Sequence, residues 1–509
     1  MAPNTKLAKS LESLKIIQDT IGTVFESSYL PANDRRILSS QGFIEPIIKG
    51  WHFISNPEKN LQQGDTTLWY SNFWLFISKY IKKRFGEDYI VNPDDSLLLH
   101  TGSTVIPQQL IVATKANGNM NLTLPTNIKV IIYSDKNIPE NATIINGMRT
   151  YTLEHALCKI SPAFYKSNPT EVEIAFGLIH EPSKLLNILL SDVRMEASAG
   201  RIIGALRFLK REQDANRIKS TLIASLFTIR ETNPFEINTP TIQFSREKSP
   251  YTMRIKSMWQ KYKEDVLLAF KDISTSSITK NEYLANMQEI YTSDAYHSLS
   301  IEGYKVTDDL INRVANHHWN PEKTEEDAHS RNALAARGYY QAFEKVKKTV
   351  EKIFDGNSPS EVLKNDFHEW YTQLFAPSVT AGIIKPYALA GYRNHQVIIQ
   401  NSAHSPLPHY AISDAIDAFF ELMSEETNAC VRAVLGHFIF AFIHPYPDGN
   451  GRISRFIMNA MLASGHYPWT IIKVEDRDEY MKSLEKASVH GDIKPFAFFI
   501  AQRVKIQLK

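Results

Sequence analysis

The chain has 509 residues, 43% of them hydrophobic and 22% charged, and a formal net charge of +2. That length exceeds one ordinary hydrophobic core, so two or three domains are expected, and the balanced charge excludes a strong overall field, leaving nucleic-acid contact to a local patch. Cys158 and Cys430 make neither a zinc pattern nor a disulfide framework, and there is no apolar signal core or membrane-length apolar run, so we expect a cytoplasmic protein without a membrane partner.

The first 60 residues read as a small separate module. Leu7, Leu11, Leu14 and Ile17 have helix spacing, residues 32–42 read as a helix stopped by glycine, and residues 44–54 read as a β-hairpin turning at Lys49-Gly50. Helices followed by a hairpin are the plan of a winged helix. Arg35 and Arg36 would lie on its recognition helix, making DNA a candidate partner; a small packing module with surface arginines is the alternative. Residues 61–235 read as an α+β domain. An aromatic helix over 68–85 uses Trp69, Phe73, Phe76 and Ile77 for core. Strands follow at 110–114 and 128–133, with Asn117-Gly118 as a turn signal between them, and helical patterns run over 153–229. The stretch 98–104, which contains His100, and the pattern around Arg201 (199–207) resemble the antitoxin component of abortive-infection toxin–antitoxin systems over about the first 230 residues; His100 and Arg201 are read as structural. Residues 236–250, rich in proline and polar side chains, read as a linker.

From 251 to 509 nearly everything reads as helix: 253–270, 279–291, 328–354, 360–375, 412–423, 429–443 and 475–487. One exception is 391–400, where Gly391-Tyr-Arg393-Asn-His-Gln-Val397-Ile-Ile399 alternates like a short β-hairpin. The other is a loop running into a helix at 444–455, His-Pro-Tyr-Pro-Asp-Gly-Asn-Gly-Arg-Ile-Ser-Arg. Gly449, Asn450 and Gly451 tolerate dihedrals that aim successive N–H groups at one point, and the helix start behind them favours an anion. Arg452, Arg455 and Asn459 fall on one face of that helix. Asp448 would repel a phosphate unless a divalent cation lay between them, and His444 is a base with a pKa near working pH. Base, metal carboxylate, anion nest and two arginines in twelve residues read as a phosphoryl- or nucleotidyl-transfer site. His437 is read as a packed side chain; His404 and His409 have no metal-ligand company.

The segment resembles the signature of the Fic family, His-x-Phe-x-(Asp/Glu)-Gly-Asn-Gly-Arg-x-x-Arg, departing from it only in Tyr446 for Phe. The resemblance implies a Fic fold over 251–509, all helical with a β-hairpin flap at 391–400, beneath an N-terminal α/β part. It implies an enzyme transferring AMP from ATP, with Mg²⁺ (or Mn²⁺) on Asp448, to a Ser, Thr or Tyr hydroxyl of a target protein. His444 would be the base, and Gly449, Asn450, Gly451, Arg452, Arg455, Asn459 and Tyr480 would bind nucleotide. Arg393, Val397 and Ile399 would hold the target by strand addition. Ser298, Glu302 and Gly303, within 298–303, fit the family's inhibitory pattern (Ser/Thr)-x-x-x-Glu-(Gly/Asn). Glu302 would pair with Arg455, exclude a γ-phosphate and hold the enzyme off, and in several members the same glutamate supports AMP removal. Two other readings stay open: a DNA-binding regulator whose Fic domain only senses nucleotide, and a Fic enzyme using another nucleotide-like donor. The target and a homodimer are likewise left open.

Overall fold

In the computed structural model, residues 3–55, 66–236, 249–275, 278–316, 331–389, 391–399 and 402–508 are described. Most of the linker expected at 236–250 lies outside them, as do the first residues of the helix expected from 328. The chain divides into two compact units, one of Met1–Met253 with Val397–Ser405, the other of Arg254–Gln396 with Pro406–Lys509. An α/β region with sheets thus precedes a helical C-terminal part.

The first unit begins with the helix Pro3–Thr20, strand β1 (Val24–Glu26), the helix Ala32–Ser40, and strands β2 (Ile44–Ile48) and β3 (Trp51–Ile54). β3 pairs antiparallel with both others, giving the order β1-β3-β2, and the β2–β3 turn uses Gly50 at φ +90°. Leu14, Ile17, Phe25, Leu30, Leu38 and Ile44 make one small core. Arg35 does not lie free on the helix surface. Its Nη1 donates to the carbonyls of Ser27 and Leu30, so the residue read as a DNA contact is spent on holding the preceding turn.

A second sheet has the order β6-β7-β5-β4-β9-β8, from β4 (Tyr89–Val91), β5 (Gln109–Thr114), β6 (Met120–Thr123), β7 (Lys129–Ser134), β8 (Thr143–Ile145) and β9 (Met148–Thr150). Leu110, Val112, Val130 and Ile132 face Trp69, Phe73, Phe76 and Ile77 of the helix Thr66–Phe85, as side chains alternating along a strand must. Ala113 and Tyr133 belong to the core built by the helices from Leu153 to Ala224. The turn at Gly118 (φ +101°) leads into β6, which pairs antiparallel with β7, so β5 and β7 run parallel instead of forming a hairpin. β6 was not visible in the sequence because this edge strand, Met-Asn-Leu-Thr, carries little apolar signal. His100 and Arg201 serve structure: His100 Nε2 meets the Tyr151 carbonyl at 2.7 Å, and Arg201 donates to Ser198 Oγ at 2.9 Å.

In the second unit the helices Arg331–Phe354 and Pro359–Thr380 lie close together. Gly338 makes this possible, because a Cβ there would collide with the Leu374 carbonyl. The helix Ala429–Ile443 runs through the core with Val431, Val434, Leu435, Phe438 and Ile439 buried, and it leads into the loop before the helix Asn450–Ala463. The sequence reading missed the helices Asp308–Ala315 and Lys494–Gln507, and the helix expected over 279–291 extends over Lys280–Ile301. The β-hairpin expected over 391–400 is not formed: residues 391–399 are in no strand, and Gln400 lies outside the described residues. The Arg393 N–H donates to the Pro445 carbonyl at 2.9 Å, a loop partner that stands where a hairpin would need a facing strand.

Candidate active site

The loop of the signature is bracketed by two left-handed residues. His444 (φ 55°) ends the helix Ala429–Ile443, and Gly449 (φ 82°) opens the helix Asn450–Ala463. Between them the Asn450 side chain clamps the loop, accepting from the Tyr446 N–H at 2.9 Å and donating to the Tyr446 carbonyl at 2.7 Å. Asn450 therefore acts on the loop, where a nucleotide contact was expected. Tyr446 is buried, its ring stacked on Tyr371 at 3.8 Å between centroids, and its hydroxyl meets His368 Nδ1 at 3.1 Å. The hydroxyl by which this chain departs from the signature thus has a partner.

His444 Nδ1 lies 3.2 Å from the Ala441 carbonyl, which selects the tautomer with the proton on Nδ1 and leaves the Nε2 lone pair for a substrate proton. Burial, with a smaller contribution from Arg393, lowers its pKa to about 4 against the pull of the Ala441 carbonyl, so the imidazole is neutral at pH 7. Arg393 supports this loop from behind. Its Nε donates to the His444 carbonyl at 2.8 Å, Nη1 to the His395 carbonyl at 2.9 Å, and Nη2 to the Leu407 carbonyl. It is 3% exposed, so it cannot offer its side chain to a target as expected; it positions the loop. Val397 and Ile399 are half-buried, in no strand, and group with the N-terminal unit.

The two arginines are both buried but differently satisfied. Arg455 Nε donates to Ser298 Oγ at 2.9 Å, and its Nη2 donates to the Ser298 carbonyl at 3.1 Å and to Glu302 Oε1 at 2.7 Å. Burial weakens its hold on the proton, but Glu302 and the nearby Tyr480 outweigh that, and the net shift is upward. One turn before Ser298 on the helix Lys280–Ile301, buried Asp294 accepts from the Tyr339 hydroxyl at 2.7 Å. Glu302 also leans over the helix start, since a methyl group at Gly451 would collide with its Oε1. Arg452, 1% exposed, lies against the rings of Tyr304 (5.3 Å) and Phe375 (5.1 Å). Its Nε and Nη2 make no hydrogen bond among the described residues, and Asp448 Oδ1 stands 3.5 Å from Nη2. A buried guanidinium with unsatisfied donors is costly unless an anion arrives.

Two other residues named from the sequence are buried and tied to protein partners. Asn459 is 2% exposed and makes a two-bond clamp on Thr470, donating to its carbonyl at 3.0 Å and accepting from its N–H at 2.7 Å. Tyr480 is 2% exposed; its hydroxyl meets His437 Nε2 at 2.8 Å, and it also bonds with the Arg455 side chain, so it stands in the core directly against that arginine. Tyr304, Phe375, Asp294 and Tyr339 went unread because none belongs to a signature; Tyr304 alone carried a signal, following directly on the Glu302-Gly303 pair.

A divalent cation would find one half-open carboxylate. Asp448 is 58% exposed, with Oδ1 accepting from the Gly449 N–H at 2.6 Å. No group of three His, Cys, Asp or Glu able to hold a metal occurs among the described residues. The donor set fits Mg²⁺ where phosphate oxygens and water complete its shell.

Residues 362–462 match the Fic/DOC family. A protein adenylyltransferase Fic of Nematostella vectensis is 34% identical over 125 residues, 24% of this chain and 29% of that relative. The protein of the same name in Drosophila virilis is 27% identical over 219 residues, 42% of this chain and 41% of that relative. The solved structure of a piece of Fic-1 from C. elegans aligns over 70% of this chain and 88% of that one, at 19% identity and a TM-score of 0.36. The chain therefore spans less than half the length of these curated relatives.

Proposed function

The C-terminal part of this chain carries a Fic/DOC-family domain, and on that premise we propose that the chain is a protein adenylyltransferase restrained by its own Glu302. The observation that carries the proposal is the position of that carboxylate: an anion from elsewhere in the chain rests on Gly451 and Arg455, where a phosphate oxygen of ATP would lie. ATP is the donor that the relatives' name supports. Its phosphates would meet the N–H groups at the start of the helix Asn450–Ala463 and satisfy the open donors of Arg452. Mg²⁺ held by Asp448 would offset phosphate charge.

The hydroxyl oxygen of a target Ser, Thr or Tyr attacks the α-phosphorus and forms the new P–O bond. The bond to the bridging oxygen of pyrophosphate breaks, and the hydroxyl proton passes to His444 Nε2. The arginines neutralise the departing diphosphate, so positioning and electrostatics supply most of the acceleration. With Glu302 on Arg455, a γ-phosphate is excluded and the α-phosphorus is misaligned for attack. AMP removal would use the same carboxylate to orient water.

The test uses α-labelled ATP with Mg²⁺. Label should reach protein with the wild-type chain and, more strongly, with Glu302→Gly. Replacing His444 by Ala in the Glu302→Gly background should abolish transfer while nucleotide binding largely survives; full transfer in that double variant removes the base assignment. The elements read as recognition helix and wing offer DNA little charge: Arg35 is spent on backbone carbonyls, and Arg36 and Lys49 are the only exposed basic residues over 32–54.

A further inference from the structure

Tyr304 lies next to a signature arginine, and no motif accounts for it. Its place follows from how the helix Lys280–Ile301 ends. Glu302 is the C-cap, Gly303 is left-handed at φ +84°, the Gly303 N–H donates to the Ser300 carbonyl at 3.0 Å, and the Tyr304 N–H donates to the Leu299 carbonyl at 3.1 Å. Those two reversed bonds define a Schellman motif, and glycine is the residue that takes its left-handed position at little cost. The turn is closed by these two hydrogen bonds and presents two side chains to the site. Glu302 goes to Arg455 Nη2 at 2.7 Å, and the Tyr304 ring lies 5.3 Å from the Arg452 guanidinium. The same ring lies 5.3 Å from Arg331, and the next N–H, of Lys305, donates to Asn332 Oδ1 at 3.1 Å, so the turn is also anchored to the start of the helix Arg331–Phe354.

We propose that Tyr304 is a second positioning residue of the restrained state, holding Arg452 through its ring as Glu302 holds Arg455 through its carboxylate. The inference rests on the reading of Glu302 as an internal restraint and extends it to the other arginine. The two contacts act together, because one short hydrogen-bonded turn carries both side chains. Withdrawing the carboxylate to admit a γ-phosphate moves the turn and lifts the ring from Arg452. An aromatic ring on a desolvated guanidinium is a sizeable attraction, so it adds to the cost of opening. The rings of Tyr304 and Phe375, together with Asp448 Oδ1 at 3.5 Å, also offset the charge of Arg452, whose Nε and Nη2 make no hydrogen bond among the described residues.

The test compares Tyr304→Leu with Tyr304→Phe in the full chain, each with Glu302 intact and in the Glu302→Gly background. AMP transfer from labelled ATP is read together with hydrogen exchange at the amides of Gly303 and Tyr304. With Glu302 present, Tyr304→Leu should raise transfer by about three- to thirty-fold, the range expected for a lost cation–π contact. It should also speed exchange at both amides, while Tyr304→Phe, which keeps the ring, stays near wild type. In the Glu302→Gly background Tyr304→Leu should give no further rise. A fall in transfer of equal size in both backgrounds would make Tyr304 a plain wall of the phosphate site and overturn the inference. Unchanged exchange at the two amides overturns it whatever the activity. If no variant transfers AMP, the proposed function fails, but the exchange measurement still decides the hold of Tyr304 on the turn.

Discussion

Replacing Glu302 with Gly deletes the carboxylate that meets Arg455 Nη2 at 2.7 Å and leaves the guanidinium's two bonds to Ser298 to orient it. The lost contact joins a guanidinium 6% exposed to a carboxylate 28% exposed. A charge-assisted hydrogen bond so placed contributes about 1.5–3 kcal/mol. If that energy separates the restrained state from the competent one, its loss shifts the population by roughly ten- to 150-fold. Transfer of labelled AMP to the protein itself, at saturating ATP and Mg²⁺, should rise by a factor in that range, and any AMP-removal activity should fall. Arg455→Ala should not reproduce the rise, because the partner that is freed is the one that binds the γ-phosphate. Transfer unchanged in Glu302→Gly would refute the reasoning and put the restraint elsewhere.

Arg393→Ala should strip donors from the carbonyls of His444, His395 and Leu407. Of these only the bond to the Leu407 carbonyl is fully buried, and leaving that acceptor bare costs about 1–3 kcal/mol, so a lowered melting temperature is expected, with kcat falling more than ATP affinity, and a kcat at the wild-type level would count against its support of the loop. Acid should destabilise the fold through His437 and His444, whose pKa values fall from 6.5 to about 3 and about 4, chiefly by burial. The unfolded chain takes up these protons near pH 6.5 while the folded chain resists, so stability present above that pH is lost as pH drops toward 4, by up to about 1.4 kcal/mol per pH unit for each group. Denaturant titrations across that range check the slope, and His437→Phe should flatten it; an unaltered slope in that variant would remove His437 as its source.

The helical character of the C-terminal part was legible because long amphipathic patterns declare themselves locally, as in Ala429–Ile443 and Arg331–Phe354. The nest was legible for a related reason: His444, Asp448, Gly449, Gly451, Arg452 and Arg455 are neighbours in the chain, so one short loop and the first turns of one helix carry them all. The sequence by itself also pointed to the pairing of Glu302 with Arg455, across 153 residues, but only through the family's pattern of residue types. Tertiary structure decided which polar groups were already taken. Asn459 shares a helix face with the arginines yet is spent on Thr470, Tyr480 is shared between His437 and Arg455, and Arg393 and Arg35 are spent on backbone carbonyls. It likewise made β5 and β7 parallel neighbours, by placing β6 on the far edge of β7. In each case the outcome turned on a competition between distant partners for one donor, acceptor or strand edge. A buried polar group takes the partner that leaves the fewest others unsatisfied, and that choice depends on every residue brought near it, which no local stretch of sequence contains.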